Sequence, residues 1–258
     1  MTKTALVTGS TSGIGKALAE KMAEEKINLI LVSRDAAKLA DQSHELSKKH
    51  SIQVFTIAAN LEKLGAAAKV YDETRKLGLP IQILVNNAGF NEQGSFLNTC
   101  LQKENEMIDL HITHTTEMMK LFLPDMVDCG YGRILNLGST GSYIICPYDS
   151  VYAATKAYIL HVSKAINSEL KGTGVSVTTL CPGSTKTAFA AKAGMENMPL
   201  FKYFLMTPEA VARVGYKALM KGRTAVVVGA YNKLLVLSSK LLPSALINSV
   251  TKRMLTSA

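Results

Sequence analysis

Apolar and polar positions alternate along this chain in two rhythms. Short apolar runs at Thr4–Thr8 and at residues 28–32, 53–58, 81–85, 133–137, 175–180 and 225–228 predict strands, and their near-continuous hydrophobicity suits a sheet covered on both faces. Between them lie stretches of helical period: residues 16–25, with Leu18, Met22 and Ala23 in register, then 37–49, 64–77 and 104–119 followed by 122–127. A further helix carries Tyr152 and stops near Gly172, with Asp149 or Ser150 expected to cap it. This alternation, without internal repeats, predicts an α/β protein with a single doubly wound parallel sheet and helices on both faces. Ligands in such sheets bind beyond the carboxyl ends of the strands. Residues 1–230 form the expected domain, including a substrate lid at about 184–206, and residues 231–258 a basic, apolar helical extension.

Composition narrows the function classes. With 258 residues, 47% of them hydrophobic, the chain can bury a large core. No window reaches the roughly 18 apolar residues of a membrane span, and the first strand begins almost at once, so no signal peptide is expected and the protein is read as cytoplasmic. Cys100, Cys129, Cys146 and Cys181 are widely spaced, which predicts reduced thiols with neither disulfide nor metal site. A net charge of +9 allows acidic partners, yet the basic residues are scattered and there is no tryptophan, which argues against nucleic acid.

Candidate chemistry begins at the end of the first strand. The sequence Thr8-Gly9-Ser10-Thr11-Ser12-Gly13-Ile14-Gly15 joins strand to helix. Glycines there allow positive φ and close approach of backbone, and the helix start attracts a diphosphate. The second strand ends in Ser33-Arg34, near where an acidic residue would accept from a ribose hydroxyl and an arginine would accommodate a 2′-phosphate. Arg34 points to NADP over NAD, with Asp35 leaving some ambiguity. Tyr152 and Lys156 stand four apart on a helix, and hence on one face, where a lysine charge would favour the tyrosinate.

Thr8-Gly9-x-x-x-Gly13-Ile14-Gly15, Asn86-Asn87-Ala88-Gly89, Ser139, Tyr152-x-x-x-Lys156 and Pro182-Gly183 together resemble the short-chain dehydrogenases/reductases, in order and in context. The resemblance covers about residues 1–230, and Tyr152 follows Ser139 by thirteen positions, a common spacing in that family. It implies a Rossmann fold and an NADP-dependent oxidoreductase acting on a carbonyl or alcohol. Tyr152 would be the acid/base, Ser139 would hydrogen-bond the reacting oxygen, and Lys156 would lower the tyrosine pKa and hold the nicotinamide ribose. The cofactor would also meet Gly9, Ser10, Ser12, Gly13, Ile14 and Gly15, then Ser33, Arg34, Asn60 and Leu61. Further along come Asn87, Ala88 and Gly89, and the nicotinamide segment Pro182, Gly183, Thr185 and Thr187.

This chain departs from the family at three of these places. Asp109-Leu110-His111 puts a histidine where many relatives carry an asparagine that supports a water link to the lysine, so His111 is either a relay member or a packing residue. Asn60 replaces a usual aspartate near the adenine, and Thr185 a usual aliphatic residue.

After Pro182-Gly183, the stretch 188–206 carries Phe189, Met195, Met198, Leu200, Phe201, Tyr203, Phe204 and Met206, which suits a lid over an apolar substrate or a helix pair packed on the core. The tail beyond residue 231 is apolar and basic and is divided by Pro243. It is read as a packing or oligomerisation surface, with membrane contact as the alternative. A homodimer or homotetramer is implied by the resemblance. The rival from another class is a non-catalytic dinucleotide-binding regulator of the same fold. A serine hydrolase built on Ser139 lacks the Gly-x-Ser-x-Gly elbow.

Overall fold

The computed structural model describes residues 2–196, 198–202 and 205–256. Seven strands form one wholly parallel sheet: β1 (Thr4–Thr8), β2 (Asn28–Ser33), β3 (Val54–Ala58), β4 (Ile83–Asn86), β5 (Gly132–Leu137), β6 (Val175–Cys181) and β7 (Ala225–Val227), in the order β3-β2-β1-β4-β5-β6-β7. The chain therefore winds outward in one direction through β3 and, after returning to the centre, in the other through β7. Where the order reverses, between β1 and β4, the flanking loops diverge and leave a crevice.

Successive residues of each central strand feed opposite cores. Ala5 and Val7, Leu29 and Leu31, and Ile83 and Val85 pack beneath α1 (Gly13–Glu24), α2 (Ala36–His50) and the helix at Pro208–Met220. Leu6, Ile30, Val32 and Leu84 pack on the other face, beneath α3 (Ala66–Lys76) and the helix at Thr115–Asp128. Full burial of each such side chain contributes roughly 1.5–3 kcal/mol, which explains why these strands read as unbroken apolar runs.

Between β4 and β5 the chain forms α4 (Leu101–Ile108), a π-helical turn at Asp109–His114 and α5 (Thr115–Asp128). The periodicity predicted one helix there, and it carried no sign of the π turn. After β5 come a short 3₁₀ turn at Thr140–Ser142 and α6 (Ser150–Glu169), the Tyr152 helix. A buried polar chain fixes α6 to the sheet: Asn86 Nδ2 donates to Asn136 Oδ1 at 2.9 Å, and Asn136 Nδ2 to Ser163 Oγ at 2.8 Å. The remaining helices are α7 (Ala188–Lys192), α8 (Pro199–Lys202), α9 (Pro208–Met220), α10 (Ala230–Leu241) and α11 (Ser244–Leu255).

Candidate active site

The glycine turn after β1 is built by close approach. Gly9 and Gly13 have φ of +63° and +53°, in the left-handed region that side chains disfavour. A Cβ on Gly15 would collide with the Gly9 carbonyl and the Asn87 amide. Asn87 explains that crowding, because its Nδ2 donates to Thr8 O at 2.9 Å and to Gly9 O at 3.1 Å. Thr8 Oγ1 in turn accepts from the backbone N–H groups of Asn87 and Ala88. The Asn86–Gly89 segment and the glycine turn are thus one hydrogen-bonded unit at the switch point. Without side chains at Gly9 and Gly13 the turn presents bare backbone at the start of α1, which fits a dinucleotide diphosphate.

A cleft of about 370 Å³ runs along the carboxyl ends of the strands. Gly9, Ser12, Gly13 and Ile14 line it, as do Ser33, Arg34, Asn60 and Leu61, then Asn87, Ala88 and Gly89. Ser139, Tyr152, Lys156, Pro182, Gly183, Thr185 and Thr187 line its other half. Ser10 and Gly15 do not face the cleft. Ser10 is fully buried, with its carbonyl accepting from Gln42 Nε2 at 3.0 Å, and Gly15 lets α1 approach β1. Thr11 does face it, with its hydroxyl 3.1 Å from that of Ser33. Its place inside the glycine turn was the signal for it.

At the outer end Arg34 Nη1 pairs with Glu62 Oε1 at 2.9 Å. Asp35, the source of the earlier ambiguity, caps α2 by accepting from Lys38 N at 3.1 Å and does not line the cleft. Its role is local to the helix.

At the inner end, Ser139 starts the 3₁₀ turn. Its Oγ accepts from Gly141 N at 3.1 Å, while its own N–H donates to Ser142 Oγ at 3.1 Å. Lys156 is buried, donates from Nζ to Leu137 O at 3.0 Å, and lies 5.5 Å from the centre of the Tyr152 ring. The spacing of Tyr152 and Lys156 suggested that the lysine would depress the phenol. In this structure burial dominates and pushes Tyr152 upward, the Asp149 carboxylate adds to the rise, and Ser139 opposes it. Burial also lowers Lys156 to about 7. The phenol is therefore held protonated at neutral pH, as a proton donor requires.

His111 sits behind the cleft lining. Its Nδ1 is 2.9 Å from Thr155 Oγ1, and that hydroxyl already donates to Tyr152 O at 2.7 Å. With the Thr155 proton on Tyr152 O, the hydroxyl accepts from the histidine, an assignment that puts the proton on Nδ1 and leaves Nε2 as the acceptor. Nε2 is buried without a partner, against Gly89, and the imidazole meets the Tyr152 ring edge-on with centroids 5.8 Å apart. Burial, with the Lys156 charge adding to it, holds His111 well below the usual histidine range, so the ring is neutral. The π turn directs His111 toward α6, in keeping with the tendency of such turns to occur at functional sites.

Asp149 and Asn91 were absent from the expected site. Asp149 occupies the cap position of α6 without a side-chain capping bond, contrary to the expected cap. Its Oδ1 accepts instead from Asn91 Nδ2 at 2.8 Å, and both residues line the cleft. Burial raises this carboxyl to about 7, against the opposing Asn91 hydrogen bond. A group whose pKa rises on folding gives stability that is full below its unfolded value, 3.8, and is lost as pH climbs through about 7. Asp149→Asn keeps an acceptor for Asn91 and removes the charge. At about pH 8 the variant should be more stable than the parent by on the order of 2–4 kcal/mol, with no gain near pH 4. Thermal melts at both pH values check this, and an equal difference at both would contradict it.

Described residues of the segment after β6 lie along the inner half of the cleft. Met206 N donates to Ser184 O at 3.0 Å and Lys186 N to Met206 O at 2.8 Å, so the two ends of the segment are clasped together. Phe189, Met195, Leu200 and Phe201 line the cleft, and Met198 is buried with Leu255 of α11. Met206 packs toward the main core, and Tyr203 and Phe204 lie outside the described residues. Among the described residues no group of three or more His, Cys, Asp or Glu could hold a metal ion.

The short chain dehydrogenase family profile matches residues 3–197. The chain belongs to the short-chain dehydrogenase/reductase family of oxidoreductases. It is 29% identical over 226 residues to a ketoacyl reductase of Nostoc sp., covering 88% of this chain and 78% of the relative. It is 34% identical over 192 residues to the very-long-chain 3-oxoacyl-CoA reductase of Homo sapiens, covering 72% of this chain and 60% of that longer protein. A short-chain dehydrogenase from Sphingobium yanoikuyae, solved in complex with NADPH, superposes with a TM-score of 0.83 at 27% identity, over 93% of each chain. A 7β-hydroxysteroid dehydrogenase gives a TM-score of 0.86 at 25% identity, over 96% of each chain.

Proposed function

We propose that this chain reduces apolar ketones, 3-oxoacyl groups foremost, with NADPH and with Tyr152 as the proton donor. The observation that carries this reading is the convergence of Ser139, Tyr152 and Lys156 on the cleft that also holds the glycine turn. NADPH, when bound, supplies the hydride that reaches the carbonyl carbon. The Tyr152 hydroxyl gives its proton to the carbonyl oxygen as negative charge gathers there. Ser139 Oγ accepts from Gly141 N and so has its own proton available for the same oxygen. Lys156, anchored on the Leu137 carbonyl, favours in its ammonium form the tyrosinate left behind. The products are the secondary alcohol and NADP.

An apolar substrate is supported by the aromatic and methionine lining of the inner cleft and by the ketoacyl and 3-oxoacyl-CoA reductases among the relatives. Paired titrations with NADPH and NADH, then a panel of 3-oxoacyl thioesters, steroids, aliphatic aldehydes and sugars, test the reading; activity on sugars alone would count against it.

NADPH over NADH is supported by Arg34 at the end of β2, by Asp35 being turned to capping, and by the Sphingobium relative solved with NADPH. Losing one charged hydrogen bond to a phosphate costs about 1.5–3 kcal/mol, so Arg34→Ala should raise the Kd for NADPH about 10- to 100-fold and leave that for NADH nearly unchanged. Isothermal titration with each nucleotide reads this, and parallel weakening of both would contradict the assignment.

His111 acts in this reading as a positioning residue, donating through Nδ1 to the Thr155 that brackets Tyr152 and keeping Nε2 as an acceptor for the proton relay. His111→Leu should lower kcat with the Kd for NADPH unchanged, and His111→Asn should recover part of the loss. Unchanged kcat in His111→Leu would leave the histidine a packing residue only.

A further inference from the structure

We propose that the outer face of α10 and α11, at the mouth of the cleft, docks on an anionic lipid bilayer. The inner faces of both helices are already used: Asn232 and Val236 of α10, and Ile247, Thr251 and Leu255 of α11, are buried against the rest of the chain. The outward positions should then be polar, as on most surface helices. They are leucines instead. Leu234, Leu237 and Leu241, spaced three and four apart on one side of α10, are 65%, 53% and 75% exposed, and Leu246 and Val250 of α11 are 57% and 53% exposed.

Charge selects the partner. No aspartate or glutamate follows Glu209 in the sequence, whereas Lys233, Lys240, Lys252 and Arg253 lie on the two helices and are exposed. Lys240 and Lys252 lean over the rings of Tyr143 and Tyr148, which holds them at this end of the molecule. A second copy laid on the same face in two-fold fashion would bring these like charges together, with no acid on either helix to pair them. A bilayer with anionic headgroups offers the opposite charge, and each basic residue near such a surface adds to binding while leucines enter the acyl boundary.

The face is continuous with the cleft. Val250, Met254 and Leu255 of α11 line the cleft, and Leu255 O accepts from Gln93 Nε2 at 3.0 Å, which ties α11 to the loop bearing the exposed Phe96 and Leu97. Thr251 Oγ1 donates to the carbonyl of exposed Ile145 at 3.2 Å. Exposed Phe96, Leu97 and Ile145 therefore stand on segments tied to α11, beside the cleft that Val250 and Met254 line, and a substrate dissolved in lipid would enter there.

The test is sedimentation of the full chain with phosphatidylcholine vesicles, with and without phosphatidylglycerol, at low and high salt, alongside size-exclusion chromatography. Retention on the anionic vesicles should exceed that on neutral ones by about tenfold or more and fall with salt. Leu237→Glu/Leu241→Glu should weaken it by about tenfold or more with the melting temperature preserved. Should that variant melt early, Lys233→Glu/Arg253→Glu carries the same expectation. The proposal is overturned if the parent stays in solution with both vesicle types or binds them equally. It is also overturned if the leucine variant merely splits a dimer into monomers. None of these readouts depends on turnover, so they stand apart from the proposed reaction.

Discussion

Tyr152→Phe is expected to lower kcat by about 10²–10⁴-fold while NADPH still binds. The substitution removes one oxygen from a ring held edge-on by His111 and against Phe189, with centroids 5.8 Å away in each case, so the packing that positions residue 152 survives. What disappears is the only hydroxyl of that side chain and with it the proton for the developing alkoxide. Single-turnover absorbance of NADPH separates the two effects, because binding is read before the hydride moves. A variant with more than a tenth of parental kcat would show that another group, or water, delivers the proton.

Gly15→Ala should remove dinucleotide binding and destabilise the fold together. The added Cβ runs into the Gly9 carbonyl and the Asn87 amide, two groups already bonded to each other, so relief requires α1 to shift away from β1. Overpacking of this kind costs about 1–3 kcal/mol, and the shift spoils the turn that would receive the diphosphate. Gly78→Ala is the matching control: φ there is +65° and a Cβ meets nothing within 4 Å, so only about 1–2 kcal/mol of backbone strain is expected, with nucleotide affinity intact. Denaturant unfolding and calorimetric titration of both variants compare them directly. Undiminished NADPH affinity in Gly15→Ala would contradict the role given to the turn.

The order of the elements was legible because each central strand is buried on both faces and so carries an unbroken apolar run. That the glycine turn, Ser139, Tyr152 and Lys156 share one cleft was legible for a related reason, since close backbone approach and the proton transfer proposed for Tyr152 each restrict a position to very few residue types. Contacts between distant residues left no comparable trace. Arg34 meets Glu62 across 28 positions and Asn91 meets Asp149 across 58, pairings that only the folded chain creates. The π turn that directs His111 toward Thr155 was equally silent, because one residue of extra winding scarcely disturbs a helical hydrophobic pattern. Burial had the same character. The Tyr152 and Lys156 spacing suggested a depressed phenol, and the enclosure of both groups reverses that direction. The tail showed that it was apolar and basic, yet periodicity alone could not say whether its leucines faced inward or out.

Hydride transfer from NADPH to a ketone with Tyr152 supplying the proton is the central claim, and isotope tracing tests it most directly. NADPH deuterated at the transferable position of its nicotinamide, incubated with the chain and a 3-oxoacyl thioester, should place the label on the carbinol carbon of the product. With Tyr152→Phe the labelled alcohol should form at the much lower rate given above. Product that carries no label, or NADPH left unconsumed across the whole ketone panel, would contradict the account.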